Sequence, residues 1–249
     1  MFLFYHLLLA HLTADLAFQT KEMINWKRKS IWGSLVHGLI FIVIAGFFCV
    51  TYLNDLLFIV CLLMLTSVRV LTDHFKSKIT VNGRLDNLAT FLIDQSIRIS
   101  MIIPVALIPQ LKKPKYLFSS ALSPLYNNKL LILYLSFFII TIYGGSFFLY
   151  YMKKTFVDPN SQFGFDPLGM MERLFVFFSF LIGGAWLLLI PIVVLLKSLV
   201  LFLGIKSTIL NLNEPALQFQ KIKLKSNISF DMLISPVFSI LMGIIVKSL

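Results

Sequence analysis

The chain has 249 residues, of which 58% are hydrophobic and only 13% are charged, and its mean hydropathy is +0.89. Soluble globular domains carry about 25% charged residues, so this composition excludes a soluble fold and predicts a lipid environment. The net charge of +11 would suggest nucleic-acid binding in a soluble protein, but here the basic residues lie between apolar segments, where they orient helices and meet lipid head groups, so we expect the bilayer as partner and no nucleic acid.

The N-terminal part of the chain predicts three membrane helices, since a span needs about 20 predominantly apolar residues. The first covers residues of about 2–19. It lacks the basic start and the small-residue cleavage site of a signal peptide, so we expect it to be retained. The second covers about 31–53 and the third about 56–75, and a tight turn at Asn54-Asp55 joins them.

The remaining apolar segments complete an all-α, polytopic transmembrane helical bundle of about seven or eight helices. Helix four is expected at about 87–108 and helix five at about 129–152, with a polar stretch between them that has room for a short interfacial helix. The apolar run 171–202 is too long for one span and contains Gly183-Gly184, so it forms either a helical hairpin or a broken helix. A short helix at about 228–246 ends the chain.

The basic residues also predict an orientation, because short cytoplasmic loops are enriched in Lys and Arg. The loops after helices one, three and five are basic, whereas the turn between helices two and three carries no Lys or Arg. We therefore expect a multi-pass protein of a bacterial cytoplasmic (inner) membrane with its N-terminus outside. Four lysines disagree with this orientation, namely Lys112, Lys113, Lys115 and Lys129. We divide the chain into a four-helix half, 1–110, and an apolar C-terminal half with the possible hairpin, 111–249.

Polar side chains recur inside the first four predicted helices, where charge is costly and usually faces a bundle interior or a cavity. The set comprises His11, Asp15, Gln19, His37, Arg69, Asp73, Asp94, Gln95 and Arg98. Three helices each carry an i, i+4 pair from this set, and that spacing places both side chains on one helix face. At about 1.5 Å per residue, most of these groups lie roughly 6–16 Å in from the cytoplasmic ends of their helices. We therefore predict one polar cluster in the cytoplasmic half of the bilayer.

Two interpretations of this cluster remain open. In the functional one, the histidines and aspartates are acid–base groups or ligands, and the candidate catalytic residues are His11, Asp15, His37, Asp73 and Asp94. The spacing of His11 and Asp15 suits a divalent metal such as zinc. In the structural one, the three aspartates pair with Arg69 and Arg98, and the ion pairs specify how the helices pack.

Several short strings of this sequence resemble the domain-of-unknown-function family 3307 of bacterial integral membrane proteins. In chain order they are HLTADLAFQTKEM, LVHG, RVLTDHFK and FLIDQSIR, followed by GMMERLFVFFSFLIGGAWLLLIPIVVLLKSLVLF. The resemblance implies that the family pattern includes His11, Asp15, Gln19, His37, Asp73, Asp94 and Gln95. It also implies histidines at two further positions, where this chain has Arg69 and Arg98.

The two arginines make the chain a divergent member of that family. Arginine stays protonated and cannot ligate a metal. The family's distant likeness to membrane-bound metal-dependent hydrolases implies a metal site, which here would lack two ligands. We hypothesise that Arg69 and Arg98 supply the positive charge that a cation would have given to the aspartates. No cofactor is expected, and a divalent metal held by His11 and Asp15 is the alternative.

In the C-terminal half, Glu172 and Lys197 lie on either side of Gly183-Gly184. In a hairpin they would reach the same edge and form an ion pair, whereas the interpretation that we favour from the sequence is ordinary interfacial anchoring. Three function classes stay open for the whole protein. A structural or partner-binding protein needs a sealed, paired cluster. A membrane-embedded hydrolase-like enzyme needs a water-filled pocket, and a small transporter or proton-coupled module needs a path to both faces.

Overall fold

The computed structural model describes residues 2–80, 87–112, 123–210 except Asn160, Gln162 and Phe165, and 218–249. These described residues are largely helical and include no β-strand. They form two compact units, Met1–Ile139 and Ile140–Leu249. The division into 1–110 and 111–249 rests on the distribution of polar residues and stays a prediction.

The first unit is built from helices α1 to α7. Their bounds are α1 Phe2–Leu12, α2 Lys21–Lys29, α3 Ile31–Phe48, α4 Leu56–Thr80, α5 Leu88–Leu107, α6 Ser123–Tyr126 and α7 Lys129–Ile139. A π-helical turn, Thr13–Ala17, extends α1. Helix α1 packs against α3, α5 and α7, and α4 packs against α3 and α5. This arrangement brings the polar faces of four helices together, which positions the site described below.

Helix α2 lies where we predicted a loop. The side chain of Thr20 accepts a hydrogen bond from the Met23 backbone N–H at 3.3 Å and caps the start of this helix. The helix packs against α3 and α4. A Cβ atom at Gly33 would lie 2.6 Å from the backbone nitrogen of Lys27, so only glycine permits this approach of α2 to α3. The prediction was wrong because a search for long apolar spans passes over KEMINWKRK, a segment of nine residues of which six are polar.

The second unit contains helices α8 to α11. A π-helical turn, Ile140–Gly144, precedes them, and their bounds are α8 Gly145–Phe156, α9 Pro167–Ile182, α10 Leu189–Leu210 and α11 Gln218–Lys247. Helix α9 packs against α8, α10 and α11. The last helix begins about ten residues before the predicted start at 228.

The apolar run 171–202 forms a helical hairpin. Gly183 and Gly184 have φ angles of 71° and 58°, a left-handed conformation that disfavours residues with a Cβ atom. They end α9, and α10 then packs back along it. The two adjacent glycines therefore produce a hairpin and not a broken helix.

Six segments of the described chain are long and apolar enough to cross a membrane. They are Ile31–Phe48, Leu56–Ile79, Leu88–Leu107, Lys129–Phe156, Gly184–Leu203 and Phe230–Lys247, and the shorter segment Phe2–Ala17 is also apolar. Large apolar side chains on these helices are exposed, for example Val43 at 70% and Leu56 at 75%. An apolar surface of this kind is stable only in lipid, so the chain is a multi-pass membrane protein. The N-terminus outside and the inner membrane stay predictions.

Candidate functional site

Asp15 lies at the centre of the first unit's polar groups. It sits on the π-helical turn that extends α1, and its side chain is fully buried. Its Oδ1 atom accepts a hydrogen bond from Arg69 Nη1 at 2.5 Å and lies 3.2 Å from His37 Nε2, while its Oδ2 atom accepts one from Arg98 Nη1. One carboxylate on α1 therefore contacts α3, α4 and α5. Single π-helical turns recur at functional sites in proteins.

Arg69 bridges the predicted metal pair. Its Nη1 atom donates to Asp15 and its Nη2 atom lies 2.5 Å from Nδ1 of His11. Because a guanidinium only donates, His11 Nδ1 must be the acceptor, so the imidazole proton lies on Nε2. The guanidinium carbon also lies 3.8 Å above the centroid of the Phe41 ring. Arg69 thus bonds to one carboxylate oxygen of Asp15 and to one ring nitrogen of His11, the two residues of the predicted metal pair.

Arg98 contacts all three aspartates. Its Nη1 atom donates to Asp15, and its Nη2 atom donates to Asp73 Oδ1 at 2.6 Å and to Asp94 Oδ1 at 2.9 Å. Its Nε atom also donates to Asp94 Oδ1 at 3.1 Å. The planar fork of arginine makes such multiple contacts possible, which a lysine ammonium would not reproduce.

Two lysines complete the network, and neither was in the predicted set. Lys27 on α2 donates to Asp73 Oδ2 at 3.3 Å, and Lys76 on α4 donates to Asp94 Oδ2 at 3.0 Å. Burial lowers the pKa of Lys27, and the nearby carboxylate of Asp73 opposes that shift. Lys76 follows Asp73 by three residues and shares its helix face, a signal that the sequence did contain. Lys27 was counted among the loop charges because α2 itself was missed.

The predicted glutamines do not join the network. Gln19 and Gln95 are partly buried, and within the described part of the chain neither makes a hydrogen bond with these groups. Of the buried polar atoms that find no partner among the described residues, three lie on α1 and α3, namely Nε2 of His11, Nδ1 of His37 and Oγ of Ser34. All three carboxylates of the network are thus ion-paired, whereas each of its two imidazoles has one ring nitrogen without a partner among the described residues.

The side chains as they stand do not fit a divalent ion. Among the described residues, no three His, Cys, Asp or Glu side chains are arranged to hold a metal. Both carboxylate oxygens of Asp15 and the Nδ1 atom of His11 face guanidinium nitrogens instead. A metal at this position would have to displace Arg69 and would meet its positive charge.

The second unit contains a separate buried polar group. Glu172 is 1% exposed, and its Oε2 atom accepts hydrogen bonds from Lys197 and from Ser235, the latter at 3.0 Å. The hairpin thus forms the ion pair that was the alternative to interfacial anchoring, and both charged side chains are buried in it. Arg173 is fully buried as well and donates to the hydroxyls of Ser146 at 2.6 Å and Ser235 at 3.2 Å.

Arg173 also marks a feature that the two units share. Its Nε atom donates to the carbonyl of Ile142 at 3.3 Å, and Ile142 lies in the π-helical turn Ile140–Gly144. In each unit, then, a buried guanidinium is bonded to a π-helical turn, through Asp15 in the first and through Ile142 in the second. A π-helical turn cannot be read from the sequence by hydrophobic periodicity.

A family model described as a protein of unknown function (DUF3307) matches residues 3–125 of the chain. This interval contains all the charged and imidazole groups of the first unit's network, whereas Glu172 and Lys197 lie outside it. No curated protein and no solved structure matched the chain.

Proposed function

The chain belongs to the family of proteins of unknown function DUF3307 through residues 3–125, and we propose that its polar cluster is an ion-paired variant of the site that this family carries. In this proposal the cluster fixes the packing of α1, α3, α4 and α5, and the protein is a structural or partner-binding membrane protein. The observation that carries the proposal is the position of Arg69, whose guanidinium is bonded to both His11 and Asp15.

Charge balance supports this interpretation. Arg69 and Arg98 together bring two positive charges, which equals the charge of one divalent cation. They are directed at Asp15, Asp73 and Asp94, the carboxylates that such a cation would otherwise neutralise. Replacing a metal and two neutral histidines by two arginines therefore leaves the net charge of the cluster unchanged.

Burial supports a packing role. An ion pair away from water gains little net stability, but loss of one partner is costly, so such networks favour one arrangement of the helices over others. Asp15 on α1 is joined to His37 on α3, to Arg69 on α4 and to Arg98 on α5. A rotation of any one of these helices would break at least one of the contacts of Asp15 in a low-dielectric environment.

The test is the metal content of the purified protein. Wild-type protein should retain no stoichiometric Zn or Mn after chelation. The double variant Arg69→His, Arg98→His should gain about one bound divalent ion, because two charges are lost and two imidazole ligands appear. Arg28→His is the control, because it makes the same change from arginine to histidine on the exposed side of α2, outside the cluster. This variant should gain no bound metal. The proposal would be contradicted if the wild type retained stoichiometric metal and a His11→Ala, Asp15→Ala variant lost it.

The imidazoles favour one second candidate, a proton-coupled module. His11 Nε2 and His37 Nδ1 are buried without a partner among the described residues, as expected of groups that pass protons to water. Proton flux into proteoliposomes that is lost in His37→Gln and kept in His74→Gln would support it. A hydrolase-like reaction is less favoured, since His11, Asp15 and His37 are each at most 1% exposed to water or substrate.

A further inference from the structure

An apolar cavity of about 500 Å³ opens in the first unit, at the end of the helices opposite to the ion-paired cluster. Helices α1, α3, α6 and α7 supply its walls. Its lining residues are His6, Leu9, Phe47, Phe48, Val50, Leu125, Tyr126, Leu131, Ile132 and Leu135. Cavities of a few hundred Å³ with mostly apolar walls are typical of small-molecule sites.

The two polar side chains of the lining already have partners. The Tyr126 hydroxyl donates to the carbonyl of Phe48 at 2.8 Å and lies 3.0 Å from the Thr51 hydroxyl. Burial raises the pKa of Tyr126 to about 12, which keeps this hydroxyl neutral. Nδ1 of His6 lies 3.2 Å from the Phe2 carbonyl, and the His6 ring packs 4.4 Å from the Tyr126 ring. The cavity therefore offers ring faces and hydrocarbon, which suit an occupant without polar groups.

The cavity is continuous with the lipid-facing surface. Three of its lining residues, Phe47, Leu125 and Leu135, are exposed by 75%, 57% and 42%. An occupant that approaches from the bilayer can thus enter sideways, without passing through water. If a methylene is as large as a water molecule in the liquid, roughly 30 Å³, the cavity holds on the order of 15 chain carbons. That is about one acyl chain.

A positive charge lies beside the cavity. Lys129 is the first residue of α7, is exposed, and precedes the lining residue Ile132 by one helical turn. Lysines at helix ends meet anionic head groups of the bilayer. Lys129 is also one of the four lysines that disagree with the predicted orientation, and a lipid-binding role gives that disagreement a physical reason.

We propose that this cavity is a binding site for one acyl chain of an anionic bilayer phospholipid, with Lys129 at its head group. The cavity shares no residue with the ion-paired cluster, so a test of lipid binding does not depend on whether the proposed function is correct. Its occupant is a lipid of the surrounding membrane, held by shape and by one charge.

The test uses the full chain in nanodiscs that contain phosphatidylglycerol with a photoreactive diazirine near the end of one acyl chain. After illumination, peptide mass spectrometry maps the labelled residues. Labelling should concentrate on α1 near Leu9 and on α7 near Ile132. Leu9→Phe narrows the cavity and should remove most of this labelling, whereas Leu39→Phe, the same change at an exposed position outside the cavity, should keep it.

Lys129→Gln tests the head group without touching the cavity wall. It should abolish the preference for labelling by phosphatidylglycerol over phosphatidylcholine with the same chain. If Leu9→Phe fails to fold, as judged by gel filtration, Ile132→Phe replaces it. Uniform labelling of all lipid-facing helices, or cavity segments that stay unlabelled because a second copy of the chain covers them, would overturn the proposal.

Discussion

Arg98 offers the sharpest test of the ion-paired cluster, because its guanidinium is the partner of three carboxylates at once. The variant Arg98→Met keeps much of the apolar stem and removes the charge. Breaking a buried ion pair costs about 3–5 kcal/mol, since it leaves a charge without compensation. The side chains of Arg98 and Asp15 are 4% and 0% exposed, so solvent screening does not reduce this cost substantially.

The remaining partners of the aspartates indicate which end of this range of free energies applies to Arg98→Met. After loss of Arg98, each aspartate keeps one cationic partner, namely Arg69 for Asp15, Lys27 for Asp73 and Lys76 for Asp94. No carboxylate is left fully unpaired, so we expect a loss near the lower limit, about 3 kcal/mol. Arg98→Lys should lose less than Arg98→Met, because an ammonium restores the charge but not the fork.

Unfolding in mixed micelles with increasing denaturing detergent, followed by circular dichroism, measures this free energy. Lys76→Met is the matched control, since it removes one charge from the same network at a side chain that is 23% exposed. This partly buried pair should contribute less than the pairs of Arg98 and lie nearer to the range of solvent-exposed pairs, about 0–1 kcal/mol. The two variants are compared by their free energies of unfolding. If those of Arg98→Met and Lys76→Met differ by less than about 1 kcal/mol, which is the contribution of a solvent-exposed ion pair, the cluster does not hold the helices together.

The remaining predictions concern the second unit, the hairpin and α2. Lys197→Met should destabilise the chain by about 3–5 kcal/mol in the same assay, because it leaves Glu172 buried without its cation; an unchanged midpoint would contradict this. Gly183→Ala should cost about 1–3 kcal/mol from its backbone conformation alone, since φ 71° with ψ −163° is a region that essentially only glycine adopts and the new Cβ would meet nothing within 4 Å. Gly46→Ala inside α3 should instead be neutral or stabilising by up to about 1 kcal/mol. The pKa of Lys27 is lowered by burial, so between its folded pKa and about 10.4 the unfolded state binds more protons and stability should rise with pH. A stability profile that Lys27→Met leaves unchanged in that window would refute the assignment.

Much of the cluster was accessible from the sequence because helical spacing and membrane depth are both read from residue positions. The pairs His11 with Asp15 and Asp94 with Arg98 share a helix face by their i, i+4 spacing, and the antiparallel order of the helices returns those faces to one level. The structure places His11 and Arg98 next to Asp15, and Asp94 joins the group through its ion pair with Arg98. The starts of α3 to α5 were predicted within one residue, because the polar residues Ser30, Asp55 and Asn87 precede their long apolar runs, and the ends were predicted within five residues.

The parts that were missed have a common physical reason. Lys27 enters the cluster from α2, whose nine residues are held by docking on α3 and α4 rather than by their own apolar content. Glu172 and Lys197 meet only because two glycines reverse the chain between them, and a glycine pair in an apolar run also permits a kink. These contacts depend on tertiary packing, which the local sequence pattern does not predict.

The long sequence separation inside the cluster bears on how the protein is made. Asp15 finds its guanidinium partners 54 and 83 residues later in the chain, on α4 and α5. While the ribosome is still synthesising α3, the first helix carries a carboxylate whose two arginine partners have not yet been made, and such a residue disfavours membrane insertion by about 3 kcal/mol. We therefore expect α1 to settle in the bilayer late, after α4 has supplied Arg69, so that a chain truncated before Arg69 would leave its N-terminal helix unanchored.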